Sequence, residues 1–209
     1  MTLLSNLFQY VLLMTKKYNI DESHGVSHSM NVLHFAHDIY SHEVVNNPNL
    51  KKYEKIIYVS AVLHDMCDKK YVNELDGLAE LNHFLVDKMD QYELSVTNKI
   101  ISTMSYSTVK KFGFPDMKEY MPAYHIVREA DLLSAYDFDR CIIYNMHRRN
   151  GNIIESYHDA QILFENRVFK HYDDGLLVTE YSQKHYLNLH NNALVRMESW
   201  KRLVRVGAF

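Results

Sequence analysis

Asp65 stands where a free carboxylate is costly. It follows Ala61, Val62, Leu63 and His64 and precedes Met66, in a run with Ile56, Ile57 and Val59 that reads as a buried helix. Burying an unpaired carboxylate costs several kcal/mol unless a cation or hydrogen-bond donors compensate. The simplest compensation is a metal ion shared by His64 and Asp65. Asp131 poses the same problem inside Ile126-Val127-Arg128-Glu129-Ala130-Asp131-Leu132-Leu133, and one divalent ion touching both acids answers both. His28, at the start of another helix, offers a second imidazole. Two imidazoles and two carboxylates suit Mn, Fe, Co, Ni or Zn. They suit Mg or Ca less well, because those ions prefer all-oxygen shells. Four protein ligands on an octahedral ion leave about two positions for water and a substrate oxygen, which separates a catalytic site from a structural one.

The elements that must bring these residues together are helical. Three prolines and six glycines leave few tight turns, which argues against an all-β or alternating βαβ chain. The spacing predicts a first amphipathic helix using Leu4, Leu7, Phe8, Val11 and Leu12. A polar loop follows over 19–27, then a helix carrying His28, Val32, Phe35, Ala36 and Ile39 on one face. A central helix is expected over 51–67, left through a charged turn at 68–76. Two more follow over 77–89 and 93–104, and a loop over 110–117 holds Gly113 and Pro115. Pro122 suits the first turn of a helix through Ala130 and Leu133, and further helices are expected over 138–147 and 157–169. Thr179 reads as the N-cap of a long terminal helix. Tyr186, Leu189, Ala193, Met197, Trp200 and Val204 share one face of it, and its end is basic.

At 209 residues the chain is expected to form a single all-α domain, a helical bundle over 1–209 with the metal site between helices. An apolar share of 47% with 12% aromatics is that of a folded globule. The net charge of −3 gives no basic field, so no nucleic-acid polymer is expected as a partner. Met1 to Met14 is too short and too polar for a membrane span, and it lacks the basic start of a signal peptide. Cys67 and Cys141 lie in apolar contexts without CxxC spacing, which suggests reduced thiols and a cytoplasmic setting. No membrane partner is expected, and oligomeric state is left open.

His28, then His64-Asp65, then Asp131 on separate helices resembles the HD-domain superfamily of metal-dependent phosphohydrolases, over most of the chain. More narrowly the chain is similar to the small single-domain branch, in which Leu-His-Asp precedes an Asp and a Lys-aromatic pair, here Asp68 and Lys70-Tyr71. The resemblance implies that His28, His64, Asp65 and Asp131 bind one divalent ion. It also implies hydrolysis of a phosphoester or phosphoanhydride, with a nucleotide as the usual small-molecule substrate. Ile100 to Ser107 lies where two-metal relatives bring further histidines, which favours one metal. The chain departs from many relatives at Asn31, where they carry Arg, and at Ser134, where they carry an acid.

On this reading Asp68 manages the proton of the attacking water, although it also suits the end of a helix. Lys70 and Arg128 are the cations expected to contact substrate and offset the charge of a transferring phosphoryl group. Arg128 has an alternative as the partner of Asp131. His24 either touches phosphate at the mouth of the site or is a loop histidine. Tyr71, Tyr106 and Tyr136 are candidates for base stacking, Glu165 and Arg167 read as salt-bridge partners, and Arg148-Arg149 reads as an exposed turn. The other His-Asp pairs, His37-Asp38 and His158-Asp159, lack the apolar run and the downstream Asp and Lys. Two rival classes stand beside the hydrolase: a non-catalytic nucleotide-binding module, and an HD-type di-iron oxygenase that would recruit His83 or His125.

Overall fold

The computed structural model describes residues 2–206; Met1 and residues 207–209 of the expected domain lie outside them. The described chain is all-α, with ten α-helices, short 3-10 turns between them and no strand. Helix α1 (Leu3–Lys17) starts where the Thr2 hydroxyl accepts from the Ser5 backbone N–H, and it buries Leu7, Tyr10, Val11 and Met14. That stripe differs from the expected one. Leu4 shares it but lies in the uncovered first turn, 46% exposed, and Leu12 is on the outer flank at 49%.

Three helices form the centre: α2 (Val26–Asn46), α3 (Glu54–Leu63) and, much later in the chain, α7 (Met121–Ser134), each packed on the other two. Val32, Ala36 and Ile39 of α2 meet Ile57, Val59 and Val62 of α3 and Val127 and Ala130 of α7 in one apolar core. Between α3 and α7 the chain runs through α4 (Glu74–Leu85), α5 (Gln91–Thr103) and α6 (Tyr106–Phe112). Asp90 and Glu93 form a reciprocal capping box that starts α5. The loop expected over 110–117 is partly helical, since Ser105 caps α6 and Gly113, at φ 75°, ends it.

A smaller core gathers α8 (Phe138–Arg148), α9 (Ile153–Asn166) and the long α10 (Glu180–Val206) around Phe138, Ile142, Tyr157, Phe164 and Ala193. Leu189 packs against both cores and joins them. Trp200 closes the far end, its indole N–H donating to Asp139 at 2.6 Å.

The expected continuous helix over 51–67 is divided in three. Pro48–Tyr53 is a 3-10 segment, α3 follows, and the backbone tightens again into a 3-10 turn over His64–Cys67. Leu63 leaves the α region at φ −104°, ψ 2°, and the Asp68 N–H bonds three residues back to the Asp65 carbonyl. His64 and Asp65 therefore occupy a turn at the mouth of the core and not a helix flank inside it.

Arg128 and Glu129, adjacent on α7, are both fully buried. Arg128 Nη2 donates to Glu129 at 3.0 Å, and Phe114 stacks on the guanidinium, its ring centre 4.8 Å from Cζ. Glu129 also accepts from the backbone N–H groups of Val178 and Thr179 and from the Thr179 hydroxyl. Thr179 in turn accepts from the Ser182 N–H, as its reading as an N-cap requires. One acid thus ties α7 to the start of α10. Removing one member of a buried ion pair leaves the other charge uncompensated. Glu129→Ala is expected to destabilise the protein by about 3–5 kcal/mol, measured as a shift in the urea unfolding midpoint. A loss below about 1 kcal/mol, the worth of a surface pair, would show that the clamp holds nothing.

Candidate metal centre

Four elements meet at one point. His28 lies in the first turn of α2, which begins at Gly25, and the 3-10 turn Glu22–His24 just before it carries His24 inward. His64 and Asp65 come from the 3-10 turn that ends α3, and Asp131 from the last turn of α7. Helix α4 packs close behind this turn through Gly77, where a Cβ would stand 3.2 Å from Cys67 Cα and 3.1 Å from Val72 Cγ1. A larger side chain there would push the turn and displace His64 and Asp65.

The donor atoms converge. His28 Nε2 is 3.0 Å from His64 Nε2, and Asp65 Oδ2 is 3.1 Å from the first and 3.2 Å from the second. Asp131 Oδ1 stands 3.5 Å and 3.7 Å from the same two nitrogens. Ligands about 2.1 Å from an ion are about 3.0 Å apart at right angles and about 3.4 Å apart at the tetrahedral angle. The observed separations are those of donors arranged around a common ion.

Hydrogen bonding fixes what these atoms can do. His64 Nδ1 lies 2.9 Å from the Ala61 carbonyl, an acceptor only, so the proton sits on Nδ1 and neutral His64 turns a lone pair from Nε2 toward His28. Asp65 Oδ2 is buried and has no hydrogen-bond partner. Lone pairs and carboxylate oxygens facing one another at 3 to 4 Å repel unless a cation lies among them. The electrostatics agree. Burial would lower the His64 pKa, but Asp65 foremost, with Asp131, pushes it up to about 9. Burial would likewise raise Asp65 and Asp131. The histidines, His64 acting most on Asp65 and His28 on Asp131, hold both well below the usual carboxylate range. The residues present therefore fit a divalent ion.

A cavity of about 210 Å³ opens from this point, with Asp65 and Asp131 at its floor and Asp68, Lys70, Ser102 and Tyr106 on its walls. Asp68 lies beside the turn, its Oδ1 accepting from the Lys70 backbone N–H and its Oδ2 3.2 Å from Lys70 Nζ. Lys70 Nζ is also 3.3 Å from His24 Nε2. Seven of the eight expected site residues are thus together: His24, His28, His64, Asp65, Asp68 and Lys70, with Asp131 joining them from α7.

Arg128 is the correction. It is 1% exposed, does not line the cavity, and spends its guanidinium on Glu129 and on His125 Nδ1. Position 128 lies three residues before Asp131 on α7, almost a full turn, but its side chain runs toward Phe114. Nor does it pair with Asp131. The arginine that does reach the cavity, beside Lys69 and Lys70, is Arg167, just past α9, read from sequence as a salt-bridge residue. Its guanidinium lies 4.1 Å from the Tyr106 ring centre. Burial lowers its pKa, and Asp131 opposes that most strongly. Glu165 instead accepts from Gln161 on the outer side of α9. No local spacing signals Arg167; only packing of the second core on the first delivers it.

The remaining candidates are elsewhere. His83 is exposed on α4, and His125, beside Phe114, is pushed down to about 4 by burial and then by Arg128. Neither belongs to the cluster of donors. Tyr106 lines the cavity, the Tyr71 hydroxyl donates to Asp21, and Tyr136 is buried. Arg149 pairs with Asp159 at the surface, and Cys67 and Cys141 are buried free thiols. Among the described residues no helix is long and apolar enough to cross a membrane.

A raised histidine pKa has a defined sign. In the metal-free protein the proton on His64 stabilises the fold fully below pH 6.5, and that contribution is lost as pH rises through about 9. A bound ion needs the unprotonated ring, so affinity for Mn is expected to rise steadily with pH over the same range. Melting temperatures with and without Mn, measured from pH 6.5 to 9, should diverge progressively. A constant difference would mean that no histidine proton is displaced.

No protein-family model matches the chain, and no curated protein matches it. A solved structure does: the crystal structure of a structural-genomics target from Lactobacillus plantarum, at a TM-score of 0.70 and 19% identity, covering 97% of each chain. At that identity the likeness establishes a shared fold along nearly the whole length, and nothing about the activity of either protein.

Proposed function

We propose that the protein is a metal-dependent phosphohydrolase of the HD type, cleaving a phosphoester or phosphoanhydride in a small molecule, with nucleotides the leading substrate class. One observation carries the reading: two imidazole nitrogens and two carboxylate oxygens converge beside a cavity that Lys70 and Arg167 also line. The order of those ligands along the chain, which resembles the HD superfamily, supports it further.

Under this reading His28, His64, Asp65 and Asp131 hold one divalent ion of the Mn, Fe, Co, Ni or Zn group, with Mg less suited. Such an ion, when bound, supplies Lewis acidity: it acidifies water and draws charge from a phosphate oxygen. The chain's own groups supply the rest. Asp68, beside Asp65 at the cavity wall, accepts the proton of the attacking water. Lys70 holds the Asp68 carboxylate in place through its Nζ. Arg167 takes the part that the sequence assigned to Arg128, balancing phosphoryl charge from the cavity lining. Tyr106 fixes the plane of that guanidinium. The cavity is smaller than the roughly 300–1,000 Å³ of pockets that enclose a whole drug-sized ligand. It receives the phosphoryl end of a nucleotide and leaves base and sugar at the mouth.

The test is release of phosphate or pyrophosphate from a nucleotide panel with Mn, Co, Ni or Mg. Native protein is expected to turn over at least one nucleotide, and Asp65→Ala none. Arg167→Ala is expected to lower kcat/KM by about 100-fold, while Arg128→Lys leaves it within about 3-fold, because its guanidinium is outside the cavity. A nucleotide that binds and survives with every ion would replace the hydrolase with the binding module, and oxygen consumption with two irons would favour the oxygenase.

A further inference from the structure

Beside the first donor cluster lies a second, formed by His24, Asp65 and Asp68. One ligand atom from each lies within 4.8 Å of the other two, as in the cluster of His28, His64 and Asp65, and Asp65 belongs to both. Two adjoining donor sets that share a carboxylate have the layout of a two-metal centre. The second set already holds a cation. Lys70 Nζ is 3.2 Å from Asp68 Oδ2 and 3.3 Å from His24 Nε2, and 5.5 Å from the centre of the Tyr144 ring.

The surroundings of His24 aim a lone pair at that ammonium. Asp21 accepts hydroxyl hydrogens from both Ser23 and Tyr71. Burial would raise the Asp21 pKa, but His24 nearby and hydrogen bonds from Ser23 and Tyr71 hold it well below the usual range. With their hydrogens committed to Asp21, the two hydroxyl oxygens face His24 Nδ1 as acceptors, at 2.7 Å and 3.1 Å. The proton of His24 is therefore on Nδ1, and Nε2 points its lone pair into the cavity. Acceptors that hold a histidine proton away from its inward nitrogen, here two hydroxyls oriented by an acid, are the arrangement found behind metal-ligating histidines. Nε2 accepts from Lys70 and has no hydrogen to offer a phosphate oxygen.

We infer that Lys70 is a built-in cation occupying the place of a second divalent ion, and that the centre is mononuclear because its ammonium excludes one. This inference rests on the metal reading of the first cluster. The ammonium and a divalent ion are mutually exclusive among His24, Asp65 and Asp68: both would have to approach the same lone pairs, and their like charges would stand about 3 Å apart. The tethered charge is fixed by the sequence and does not depend on metal supply. It donates hydrogen bonds, as an ion cannot, so it orients Asp68 as well as neutralising it.

The test is metal stoichiometry, which needs no substrate. Mn binding to the full chain is measured by calorimetry and by elemental analysis after desalting, with electron paramagnetic resonance to detect a spin-coupled Mn pair. Native protein is expected to bind one ion, and Lys70→Met, which keeps the stem and removes the charge, two ions that are spin-coupled. Lys70→Arg is expected to stay at one, and Lys70→Met with His24→Ala to return to one. The Lys70 side chain is half exposed, so these variants fold, and circular dichroism checks that they do. One ion in Lys70→Met overturns the inference and leaves the first centre standing, and two ions in the native protein overturn it as well. No ion in the native protein overturns the metal centre and this inference with it.

Discussion

Two imidazole nitrogens, each within 4 Å of a carboxylate oxygen of Asp65 and of Asp131, form an arrangement that the protein cannot tolerate without positive charge. Asp65 and Asp131 come from elements some 66 positions apart in the chain, so the fold must spend packing energy to bring them together. Helices α2, α3 and α7 do this by burying an almost wholly aliphatic core below the site. The donors are left at its rim, where backbone turns replace regular helix. The 3-10 turn over His64–Cys67 is the device: it ends α3, places the Ala61 carbonyl under His64 Nδ1, and turns Asp65 toward His28 of α2 and His64 toward Asp131 of α7.

A second buried charge pair serves stability and not chemistry. Arg128 and Glu129 sit on the same helix as Asp131, yet their charges cancel locally, and the remaining hydrogen bonds of Glu129 go to the segment that starts α10. The two roles divide along the face of one helix. Asp131 faces the cavity, and Glu129 faces the segment that leads into the last helix. Through that contact and through Leu189 the smaller core is held against the larger one, which is how Arg167 reaches the cavity at all.

The cationic side of the site is graded. Lys70 is committed to Asp68 and His24, while Arg167 lies on an aromatic face with Asp131 the strongest of the groups that favour its charge. The Asp68–Lys70 ion pair and the guanidinium beside Tyr106 both line the cavity.

Much of this was legible in the sequence, because carboxylates in apolar helices announce themselves. Asp65 and Asp131 break a hydrophobic pattern, and that anomaly points to a shared cation whatever the fold; the scarcity of glycine and proline likewise points to helices. Asp68 and Lys70 follow from their closeness to the pair. The division of the central segment was not legible, because Leu63 and its neighbours have the same apolar pattern in an α-helix as in a 3-10 turn. The choice between Arg128 and Arg167 was hidden for another reason. Sequence proximity to Asp131 favoured Arg128, but a helix position is shared by two directions of the side chain, and Phe114 and Glu129 decided which. Arg167 arrives from a different core across a long stretch of chain. Residue types alone determined that this chain must gather cationic charge around two acids. Which arginine faces them, and which nitrogen of each histidine, only tertiary packing decided, since those depend on contacts between segments that carry no local signature.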